Sequence, residues 1–287
     1  MTIGVAWNPV ATNVPGGLVA AAARRGVPVR LIDLPSLGLG LGLAGGAAVA
    51  DRAGTVDVAS LAPYLLWGCP AAAHALRVLA RAARTQSPVD GVLLADDKAA
   101  TAVRLAQAGV PQIRTEICGQ DDLSVVCAAA DRIGYPVVVK RTHGAQGRWV
   151  RRAGDPAALA AALAELAAEG RGALVVQPEV VECAGRSVRA VITGGRVLAV
   201  TERTAAGPEW RSNIAGGASQ RRVELTGAEH DLVLAAARAA GLGHAGVDIL
   251  RTSQGPRVLE INSCPDFTSM QPHYEQDLAE AVLLASL

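Results

Sequence analysis

The chain lacks the residue patterns on which several large classes of protein depend. It contains no CxxC pair, because its five cysteines are scattered along 287 residues. This spacing excludes a zinc ribbon and a disulfide framework, and it fits reduced thiols in a cytosol. Acidic and basic residues nearly balance, which gives a formal net charge of +1. Binding to nucleic acid through bulk electrostatic attraction is therefore excluded.

The sequence also lacks the apolar runs that direct a protein to or through a membrane. Its first residues show no basic region ahead of an apolar one, so we expect no secretion signal. The longest uncharged stretches are residues 34–50, which are interrupted by glycine, and residues 58–76, which contain Pro63, Pro70 and His74. We expect neither stretch to span a membrane. The expected location is the cytoplasm.

Lysine is almost absent from the sequence. The 27 basic residues include only Lys98 and Lys140, and the others are arginine. A composition that replaces lysine wherever arginine will serve should keep lysine where a compact ammonium group is required. Chance retention is the alternative for either lysine alone. We therefore treat both as candidate functional residues.

The length and the apolar content indicate about two domains with a buried core. The first part alternates strand and helix patterns, which is typical of a parallel sheet with helices on both faces. No internal repeat occurs. The predicted elements are strands at 3–7, 27–34, 64–67 and 89–94, helices at 14–25 and 71–84, an irregular loop at 36–54, and a helix capped by Asp96 or Asp97 that ends at 108.

Beyond residue 110 the pattern changes to paired strands with helices, so the boundary should lie between residues 90 and 110. A polar loop that contains glycine is predicted at 204–220. The other predicted elements are helices at 121–133, 156–169, 228–240 and 275–284, and strands at 136–140, 148–152, 173–177, 187–192, 196–201, 245–250 and 257–261.

One glycine pattern, Gly40-x-Gly42-x-x-Gly45, matches the dinucleotide-binding fingerprint. That fingerprint requires a strand immediately before it and a helix immediately after it. Here an alternation of leucine and glycine precedes it, and a run of glycine and alanine follows. A flexible loop is the favoured interpretation.

Acidic residues interrupt two apolar strands near the C-terminus, where an unpaired charge is costly. Asp248 lies in one strand, and Glu260 and Asn262 lie two residues apart on the next, so these two share a face. Antiparallel pairing can bring Asp248 beside them. Two carboxylates and an amide oxygen form a hard donor set that suits Mg²⁺ held together with substrate phosphates. The alternative is a pair of strand carboxylates matched by arginines.

The segment from Arg141 to Gly147, which directly follows Lys140, contains Gly144 and Gly147. Glycines let backbone N–H groups approach an anion closely. The segment is not a Walker loop, because it contains no Gly-Lys-Ser/Thr. A plain hairpin turn is the alternative interpretation.

Three arginines are candidates for binding an anion. Arg189 and Arg203 lie on, or just after, strands that should line the same cleft, and Arg211 lies in the long loop. A guanidinium group suits a carboxylate or a transferring phosphoryl group, although an exposed arginine is usually only solvated. A nucleophilic pair of Cys264 and His273 is disfavoured, because the sequence shows no orienting partner for it.

Taken in order, these elements resemble the ATP-grasp superfamily and, within it, the RimK-type carboxylate–amine ligases, which include ribosomal-protein glutamate ligase and the carrier-protein ligases of lysine and arginine biosynthesis. The likeness runs from about residue 90 to the end and is specific as an ordered set. The residues that carry it are Asp97-Lys98, Tyr135 to Lys140 with Gly144 to Gly147, Val176 to Val181, Ser187-Val188-Arg189, Arg203, Arg211-Ser212-Asn213 with Gly216-Gly217, Ala245 to Leu250 and Leu259 to Asn262.

The resemblance implies an α/β N-terminal domain followed by an α+β ATP-grasp fold, with the nucleotide held between two antiparallel sheets. It divides the chain into a pre-ATP-grasp domain at 1–95 and an ATP-grasp region at 96–287. Within that region, it implies a central lid subdomain at about 115–178 and a C-terminal subdomain at about 179–287.

The resemblance also implies roles for individual residues. Lys140, Arg203 and Arg211 are expected to be catalytic, with Arg203 placed for substrate. Asp248, Glu260 and Asn262 are expected to hold Mg²⁺, as two ions for which Mn²⁺ can substitute. The residues expected to bind ATP are Lys98, Lys140, Gly144, Gln146, Gly147, Gln177, Pro178, Glu179, Val180, Ser187, Arg189, Arg211, Ser212 and Asn213.

Three departures from the family pattern bear on the substrate and the ribose. Ser187 stands where an acidic residue is usual, so ribose contact falls to Glu179 or Glu182. The loop after Asn213 is one residue short and lacks a usual basic residue. The segment 263–267 matches neither the glutamate ligases nor the carrier-protein ligases.

The implied activity is ATP-dependent formation of an amide or peptide bond through an acylphosphate, with release of ADP and phosphate. The expected partners are a small amino acid, or a peptide or carrier-protein carboxylate, with neither nucleic acid nor membrane involved. We also expect a homo-oligomer. The alternative is an ATP-binding protein of the ATP-grasp fold without ligase activity.

Overall fold

Four β-sheets organise the part of the chain that the computed structural model describes. The described residues are 2–7, 14–43, 46–63, 70–119, 122–144, 147–183, 185–207 and 209–287. The elements of the first part are β1 (Ile3–Trp7), α1 (Val14–Arg24), β2 (Val29–Asp33), β3 (Gly38–Leu43), β4 (Gly46–Asp51), β5 (Gly54–Thr55), β6 (Ser60–Pro63), α2 (Pro70–Leu79), α3 (Val89–Ala95) and α4 (Lys98–Gln107).

The N-terminal part contains the expected parallel sheet, in the order β2-β1-β6. The predicted strand at 64–67 lies outside the described residues, and the third strand of this sheet is Ser60–Pro63. The predicted helix at 14–25 corresponds to α1, and the one predicted at 71–84 is longer than α2, which ends at Leu79.

The irregular loop predicted at 36–54 is wrong, because this segment forms the antiparallel sheet β3-β4-β5. Leu39 pairs with Val49 across the hairpin, and both pack against the main core. The alternation of leucine with glycine is therefore a strand period of two. Gly40 and Gly42 lie in β3, which pairs with another strand, and Gly45 lies outside the described residues. The strand–turn–helix context of a dinucleotide site is not met.

The strand predicted at 89–94 is also wrong, because these residues form the helix α3. Val89, Val92 and Ala95 are buried at helical spacing. Such a short apolar run cannot be assigned to strand or helix by its periodicity alone. Tertiary packing decides between helix and strand here. Gly91 lies close to the carbonyl oxygen of Ala240, and a Cβ atom on Gly91 would be 2.9 Å from that oxygen.

The C-terminal part has the antiparallel architecture expected from the sequence. Its elements are β7 (Glu116–Cys118), α5 (Leu123–Ile133), β8 (Val137–Arg141), β9 (Val150–Ala153), α6 (Pro156–Ala168), β10 (Leu174–Pro178), β11 (Arg186–Thr193), β12 (Arg196–Thr204), β13 (Ser219–Arg222), α7 (Gly227–Ala239), β14 (His244–Thr252), β15 (Gly255–Asn262) and α8 (Leu278–Ser286). Short 3₁₀ helices occupy Leu34–Ser36, Val181–Cys183, Ile214–Gly216 and Gln271–His273.

Two antiparallel sheets dominate this part. The four-stranded sheet has the order β7-β10-β8-β9, and the five-stranded sheet has the order β13-β12-β11-β14-β15. The loop predicted at 204–220 is longer than the observed one, because Ser219 and Gln220 already belong to β13. None of the helices in the described ranges combines the length and the apolar character that a transmembrane segment needs.

The start of α4 is fixed by a side-chain cap. The carboxylate of Asp97 accepts hydrogen bonds from the backbone N–H groups of Ala99 and Ala100, as one of the two aspartates was predicted to do. Such a cap is worth about 1 kcal/mol. It makes Lys98 the first residue of the helix and so fixes the direction of the lysine side chain.

The N-terminal part and the five-stranded sheet share their hydrophobic cores. Ile32, Leu76 and Val92 belong to the same buried cluster as Val233 and Ile249. On the other face of the sheet, residues of α1 and α8 pack with residues of β11 and β12. The division of the chain at residue 95 stays a prediction.

A backbone contact joins the two parts at the start of β14. The N–H of Gly243 donates to the carbonyl oxygen of Gln86 over 2.9 Å. Ser87 Oγ donates to the carbonyl of His244 and accepts from its N–H, each over 3.2 Å. A Cβ atom on Gly243 would overlap the Gln86 carbonyl. This close approach sets the position from which β14 enters the five-stranded sheet.

We predict that Gly243→Ala lowers the free energy of unfolding by about 1–3 kcal/mol, because the added methyl group must displace backbone atoms rather than a flexible side chain. Gly227→Ala is the matched control. Gly227 begins α7, and no neighbouring atom lies within 4 Å of the place that an alanine methyl group would take. Alanine there should raise the stability by up to about 1 kcal/mol. Urea unfolding followed by circular dichroism measures both. Equal stability of the two variants would contradict the proposed close packing.

Candidate functional site

A cavity of about 500 Å³ lies between the four-stranded and the five-stranded sheets. It brings together every predicted site residue that the structure describes. Gln146 is the exception, because it lies outside the described residues. The predicted residues that line the cavity are Lys98, Lys140, Gly144, Gly147, Gln177, Pro178, Glu179, Val180, Ser187, Arg189, Arg203, Arg211, Ser212, Asn213, Asp248, Glu260 and Asn262.

The two lysines enter this cavity from different elements. Lys98, at the start of α4, donates from Nζ to the carbonyl oxygen of Gly144 over 2.7 Å, and its Nζ lies 4.0 Å from Glu260 Oε1. Lys140 extends from β8 and donates to Gln177 Oε1 over 2.7 Å. Gln177 in turn donates to Thr115 Oγ1 over 3.0 Å, which fixes its amide.

Lys140 is unusual in its burial, since only 8% of it is exposed. Burial lowers the pKa of Lys140 to about 8, and the neighbouring charge of Lys98 acts in the same direction. The carboxylates of Glu260 and Asp248 oppose this shift. The ammonium group is therefore charged at neutral pH but close to its titration range.

The glycine-containing segment meets the long loop across the cavity. Gly147 has a positive φ of 71°, and a Cβ atom there would overlap the side chain of Asn213. Arg211 Nη1 donates to the carbonyl oxygen of Gly147 over 2.9 Å. Gly144, with a φ of 129°, lies directly against the ring of Trp149. Both of these glycines therefore allow close contacts at the cavity.

Arg211 is held by an acidic partner that sequence reasoning missed. Glu209 accepts hydrogen bonds from Arg211 Nε over 3.0 Å and from Nη2 over 2.8 Å. These bonds lower the pKa of Glu209 to about 2. One sequence signal could have found this pair, since Glu209 is the only acidic residue between positions 205 and 218.

Asp248 pairs with Arg189 in the middle of the five-stranded sheet. The two residues are opposite each other on β11 and β14, and Arg189 donates to both carboxylate oxygens, with Nη2 to Oδ2 at 2.5 Å. Burial alone would raise the pKa of Asp248, but Arg189 outweighs burial and holds that pKa below its usual range. The alternative of a carboxylate matched by arginine thus applies to Asp248.

Glu260 and Asn262, the other two residues of the predicted metal set, are more available to a ligand than Asp248. Glu260 lies opposite Asp248 on β15 and is partly exposed to the cavity. The Nδ2 atom of Asn262 is buried and has no hydrogen-bond partner in the described part of the chain. The predicted juxtaposition of the three side chains on adjacent strands is therefore present.

The chemistry of these donors fits Mg²⁺ held jointly with phosphate. Among the described residues, no group of three or more His, Cys, Asp or Glu side chains could hold a metal ion by itself. Mg²⁺ is commonly bound by one or two carboxylates together with substrate phosphate oxygens rather than by an all-protein cage. At the cavity, the Glu260 carboxylate and the Asn262 amide oxygen meet that requirement, and Asp248, which Arg189 already binds, lies beside them.

Arg203, on β12, is 5% exposed and lines the same cavity. Burial lowers the pKa of Arg203 to about 10, with a further contribution from Arg189. Its Nε atom has no hydrogen-bond partner within the described ranges. The cavity therefore contains a buried guanidinium group whose missing hydrogen-bond acceptor a ligand could supply.

A cysteine nucleophile is not supported by this geometry. Burial raises the pKa of Cys264 to about 12, so the group is a neutral thiol. Cys264 lines the cavity, whereas His273 is not among the lining residues that the structure describes. Sequence reasoning also gave no role to Trp149 and Asp266, which line the cavity too.

The family comparison identifies the C-terminal two thirds of the chain. The family model described as the RimK-like ATP-grasp domain matches residues 95–286. This range contains every residue that lines the cavity.

Curated relatives carry the name probable alpha-L-glutamate ligase. One from Parasynechococcus marenigrum is 38% identical over 146 residues, which are 51% of this chain and 31% of that protein. Probable alpha-L-glutamate ligase 1 from Pseudoalteromonas atlantica is 33% identical over 187 residues, which are 65% of this chain and 61% of that protein. The matched part of the chain thus spans less than two thirds of the length of either relative.

Solved structures share the fold across the whole chain. A RimK domain ATP-grasp protein from Sphaerobacter thermophilus superposes with a TM-score of 0.74 at 21% identity and covers 100% of both chains. D-cycloserine synthetase DcsG gives a TM-score of 0.72 at 21% identity and covers 99% of both chains. The expected fold, an α/β part followed by an α+β ATP-grasp part, is therefore confirmed. By its sequence match over residues 95–286, the chain belongs to the family of RimK-like ATP-grasp domains.

Proposed function

We propose that this protein is an ATP-dependent carboxylate–amine ligase that forms an amide bond through an acylphosphate. The observation that carries the proposal is the cavity between two antiparallel sheets. There the only two lysines of the chain converge with the acidic residues of β14 and β15 and with Arg211. This combination of cations and metal-binding oxygens suits the phosphates of a nucleotide.

In this proposal, Lys98 and Lys140 bind the phosphates, and the backbone from Gly144 to Gly147 covers them. Lys98 already reaches the Gly144 carbonyl, so the helix α4 and the glycine segment would act on the nucleotide together. The adenine packs against residues 177–181. The side chain of Gln177 serves to orient Lys140, since its carbonyl oxygen accepts from the ammonium group.

Ribose contact is assigned to Glu179 rather than to Glu182. Glu179 lines the cavity, and Arg152 donates to its Oε1 over 3.2 Å. Glu182 accepts hydrogen bonds from Ser253 instead. Ser187, which stands where the family usually has an acid, shares a 2.6 Å hydrogen bond with Ser212. It thereby ties the long loop to β11.

The metal site of this proposal consists of Glu260, Asn262 and Asp248, which hold two Mg²⁺ ions together with phosphate oxygens. Mn²⁺ can take the same place. Bound Mg²⁺ would neutralise charge on the transferred phosphoryl group. Because Asp248 already pairs with Arg189, whereas Lys98 Nζ lies 4.0 Å from Glu260, Glu260 is the less compensated of the two carboxylates.

The reaction has two steps. A carboxylate oxygen of one substrate attacks the γ-phosphorus of ATP, and the bond from that phosphorus to ADP breaks. An amine then attacks the acyl carbon, the carbon–oxygen bond to phosphate breaks, and the nitrogen loses a proton. Lys140 and Arg211 would stabilise the phosphoryl group, with Glu209 fixing Arg211, and Arg203 would bind substrate. The enzyme itself forms no covalent intermediate.

The substrates proposed are an amino acid and an amino-acid, peptide or carrier-protein partner. L-Glutamate is the first amino acid to test, because it appears in the names of the curated relatives. A peptide partner is supported by the ligase PsnB, one structure of which contains the precursor peptide PsnA2. A homo-oligomer and a cytoplasmic location stay predictions.

We predict that the protein releases ADP and phosphate in equal amounts with each amide, and that carboxylate substrate labelled with ¹⁸O delivers one label to the phosphate. The label moves because the carboxylate oxygen that attacks phosphorus leaves with it. Turnover is assayed with a pool of amino acids, followed by mass spectrometry of the phosphate. AMP as a product would exclude the acylphosphate route, and ATP binding without amino-acid-dependent turnover would favour a nucleotide-binding protein without ligase activity.

Glu260→Gln should lower turnover by at least about a hundredfold, because it removes one charge from a metal site whose stabilisation is worth several kcal/mol. The fold should persist, since the glutamine side chain has the same size. Glu275→Gln, at an exposed position near α8, is the matched control and should turn over normally. Initial rates of ADP formation at several Mg²⁺ concentrations measure the effect. Near-normal turnover in Glu260→Gln would refute the metal assignment.

The affinity for ATP should fall as the pH rises through about 8, because the Lys140 ammonium group then loses its charge. If bound phosphate keeps the group protonated, the loss between pH 7 and pH 9 should be about tenfold. Lys140→Arg should bind ATP more weakly at pH 7, owing to its different shape, but without this pH dependence. Fluorescence titration with a labelled nucleotide measures both. If the ATP affinity of Lys140→Arg falls with pH in the same way, the titrating group is not Lys140.

A further inference from the structure

Trp149 lies between the glycine-containing segment and the end of α6. It directly precedes β9 and lines the cavity. Its ring contacts Gly144 so closely that a Cβ atom on Gly144 would overlap the ring. Gly144 has a φ of 129°, a backbone conformation that favours glycine. The indole ring thus occupies the space that a side chain at position 144 would take.

An acidic residue fixes the orientation of this ring. Trp149 Nε1 donates to Glu169 Oε2 over 2.9 Å, and Arg151 Nη2 donates to Glu169 Oε1 over 2.7 Å. The guanidinium group of Arg148 lies 4.9 Å from the centre of the indole ring, within the range of a cation–π contact. Glu169 follows the last residue of α6, where a negative charge opposes the helix dipole. Its contacts with these neighbours, rather than the helix, therefore favour a glutamate here.

The backbone of Trp149 is fixed as well, because it belongs to the four-stranded sheet. The N–H of Arg141 donates to the Trp149 carbonyl oxygen over 3.1 Å, which continues the pairing of β8 with β9. The side chain packs against a buried cluster that includes Leu159 and Leu166 of α6. Trp149 is therefore held by the sheet through its backbone and by α6 through its ring.

The backbone that contacts the ring also carries the acceptor for one of the two lysines. Lys98 Nζ donates to the Gly144 carbonyl oxygen over 2.7 Å. The backbone N–H of Lys98 donates to the carbonyl oxygen of Thr142 over 2.8 Å. Gly144 thus contacts the Trp149 ring and the Lys98 ammonium group at the same time, so a displaced ring would leave the lysine with a displaced partner.

We propose that Trp149 is a positioning residue, which holds the Gly144 backbone and through it Lys98 at the phosphates of the nucleotide. Glu169 is part of this arrangement because it fixes the indole group. This inference rests on the proposed function and adds a residue that the sequence did not indicate. Since the adenine is proposed to pack against residues 177–181, Trp149 should affect binding of the phosphates and not of the adenosine part.

The first experiment compares ATP with adenosine, which lacks the phosphates. Dissociation constants for the full chain in Mg²⁺ are measured by displacement of a labelled nucleotide. Trp149→Leu should weaken binding of ATP at least about tenfold and change that of adenosine less than about twofold, because only the groups around the phosphates are displaced. Trp149→Phe keeps an aromatic ring against Gly144 and loses one hydrogen bond, so its ATP affinity should fall only about threefold.

A double-mutant cycle tests the part played by Glu169. Glu169→Ala should weaken ATP binding about threefold in the original protein, and it should have no further effect in Trp149→Phe, which has no indole N–H. Glu165→Ala is the matched control and should bind ATP like the original protein. Glu165 also lies on α6 and binds Arg151 over 2.7 Å, whereas the indole N–H donates to Glu169. Thermal unfolding shows whether each variant is folded, and if Trp149→Leu is not, the cycle alone decides.

Three results would overturn the inference. They are an unchanged ATP affinity in folded Trp149→Leu, an equal loss of affinity for ATP and adenosine, and an effect of Glu169→Ala that is the same with and without the indole group. An equal loss for both ligands would indicate a general disturbance of the four-stranded sheet. The original protein separates this inference from the proposed function. If it does not bind ATP in Mg²⁺, the proposed function fails. If it binds ATP and the variants give one of the three results, only the assignment of Trp149 fails.

Discussion

The buried ion pair between Arg189 and Asp248 determines how charge is distributed in the cavity. It joins the two central strands β11 and β14, and it uses both oxygens of the carboxylate. Removing one partner of such a pair typically costs about 3–5 kcal/mol, because it leaves the other charge buried and uncompensated. With Asp248 bound by Arg189, Arg203 has no ion-pair partner among the described residues, and Glu260 has only Lys98, whose Nζ lies 4.0 Å from it. The proposed metal and substrate contacts both depend on that imbalance.

A second constraint is the contact between the glycine segment and the long loop. Arg211 bonds to the Gly147 carbonyl, and Glu209 fixes the orientation of the Arg211 guanidinium. A side chain larger than hydrogen at position 147 would collide with Asn213. The position of Arg211 therefore depends on the same contact that brings the two loops together. In the proposed reaction, this contact would hold Arg211 at the transferred phosphoryl group.

The sequence alone predicted the C-terminal part better than the N-terminal part, for physical reasons. The hairpin of β14 and β15 has a clear turn and two apolar strands, and a register shift between Asp248 and Ile249 places Glu260 opposite Asp248. The cap at Asp97 is equally local. By contrast, α3 becomes a helix through its packing against Ala240, a contact that lies far away in the sequence. The hairpin at 38–51 was obscured because glycine occupies the alternate positions that normally reveal a strand.

The residues of the candidate site also differ in how well the sequence predicts them. Residues set in hairpins or next to caps, such as Lys98, Lys140 and Asn262, could be selected from the sequence because the local elements indicate where they point. Glu209 and Asp266 lie in irregular segments, where no periodicity predicts the direction of a side chain. Their orientations are set by hydrogen bonds from residues two or three positions further along the chain, namely Arg211, Thr268 and Ser269, and not by a repeating element.

The segment that follows β15 and the start of α4 belong to one hydrogen-bonded frame. Ser263, which follows Asn262, donates to Asp96 Oδ1 over 2.8 Å, and Asp96 precedes the capping residue of α4. The start of α4 is thereby tied to the segment that carries Asp266. A phosphoryl transfer followed by amine attack requires two substrates to be held at fixed positions relative to each other, and correct positioning can contribute about 7–11 kcal/mol to catalysis. Because Asp96 lies two residues before Lys98 and Ser263 directly follows Asn262, movement of the proposed metal site would also move a proposed phosphate contact.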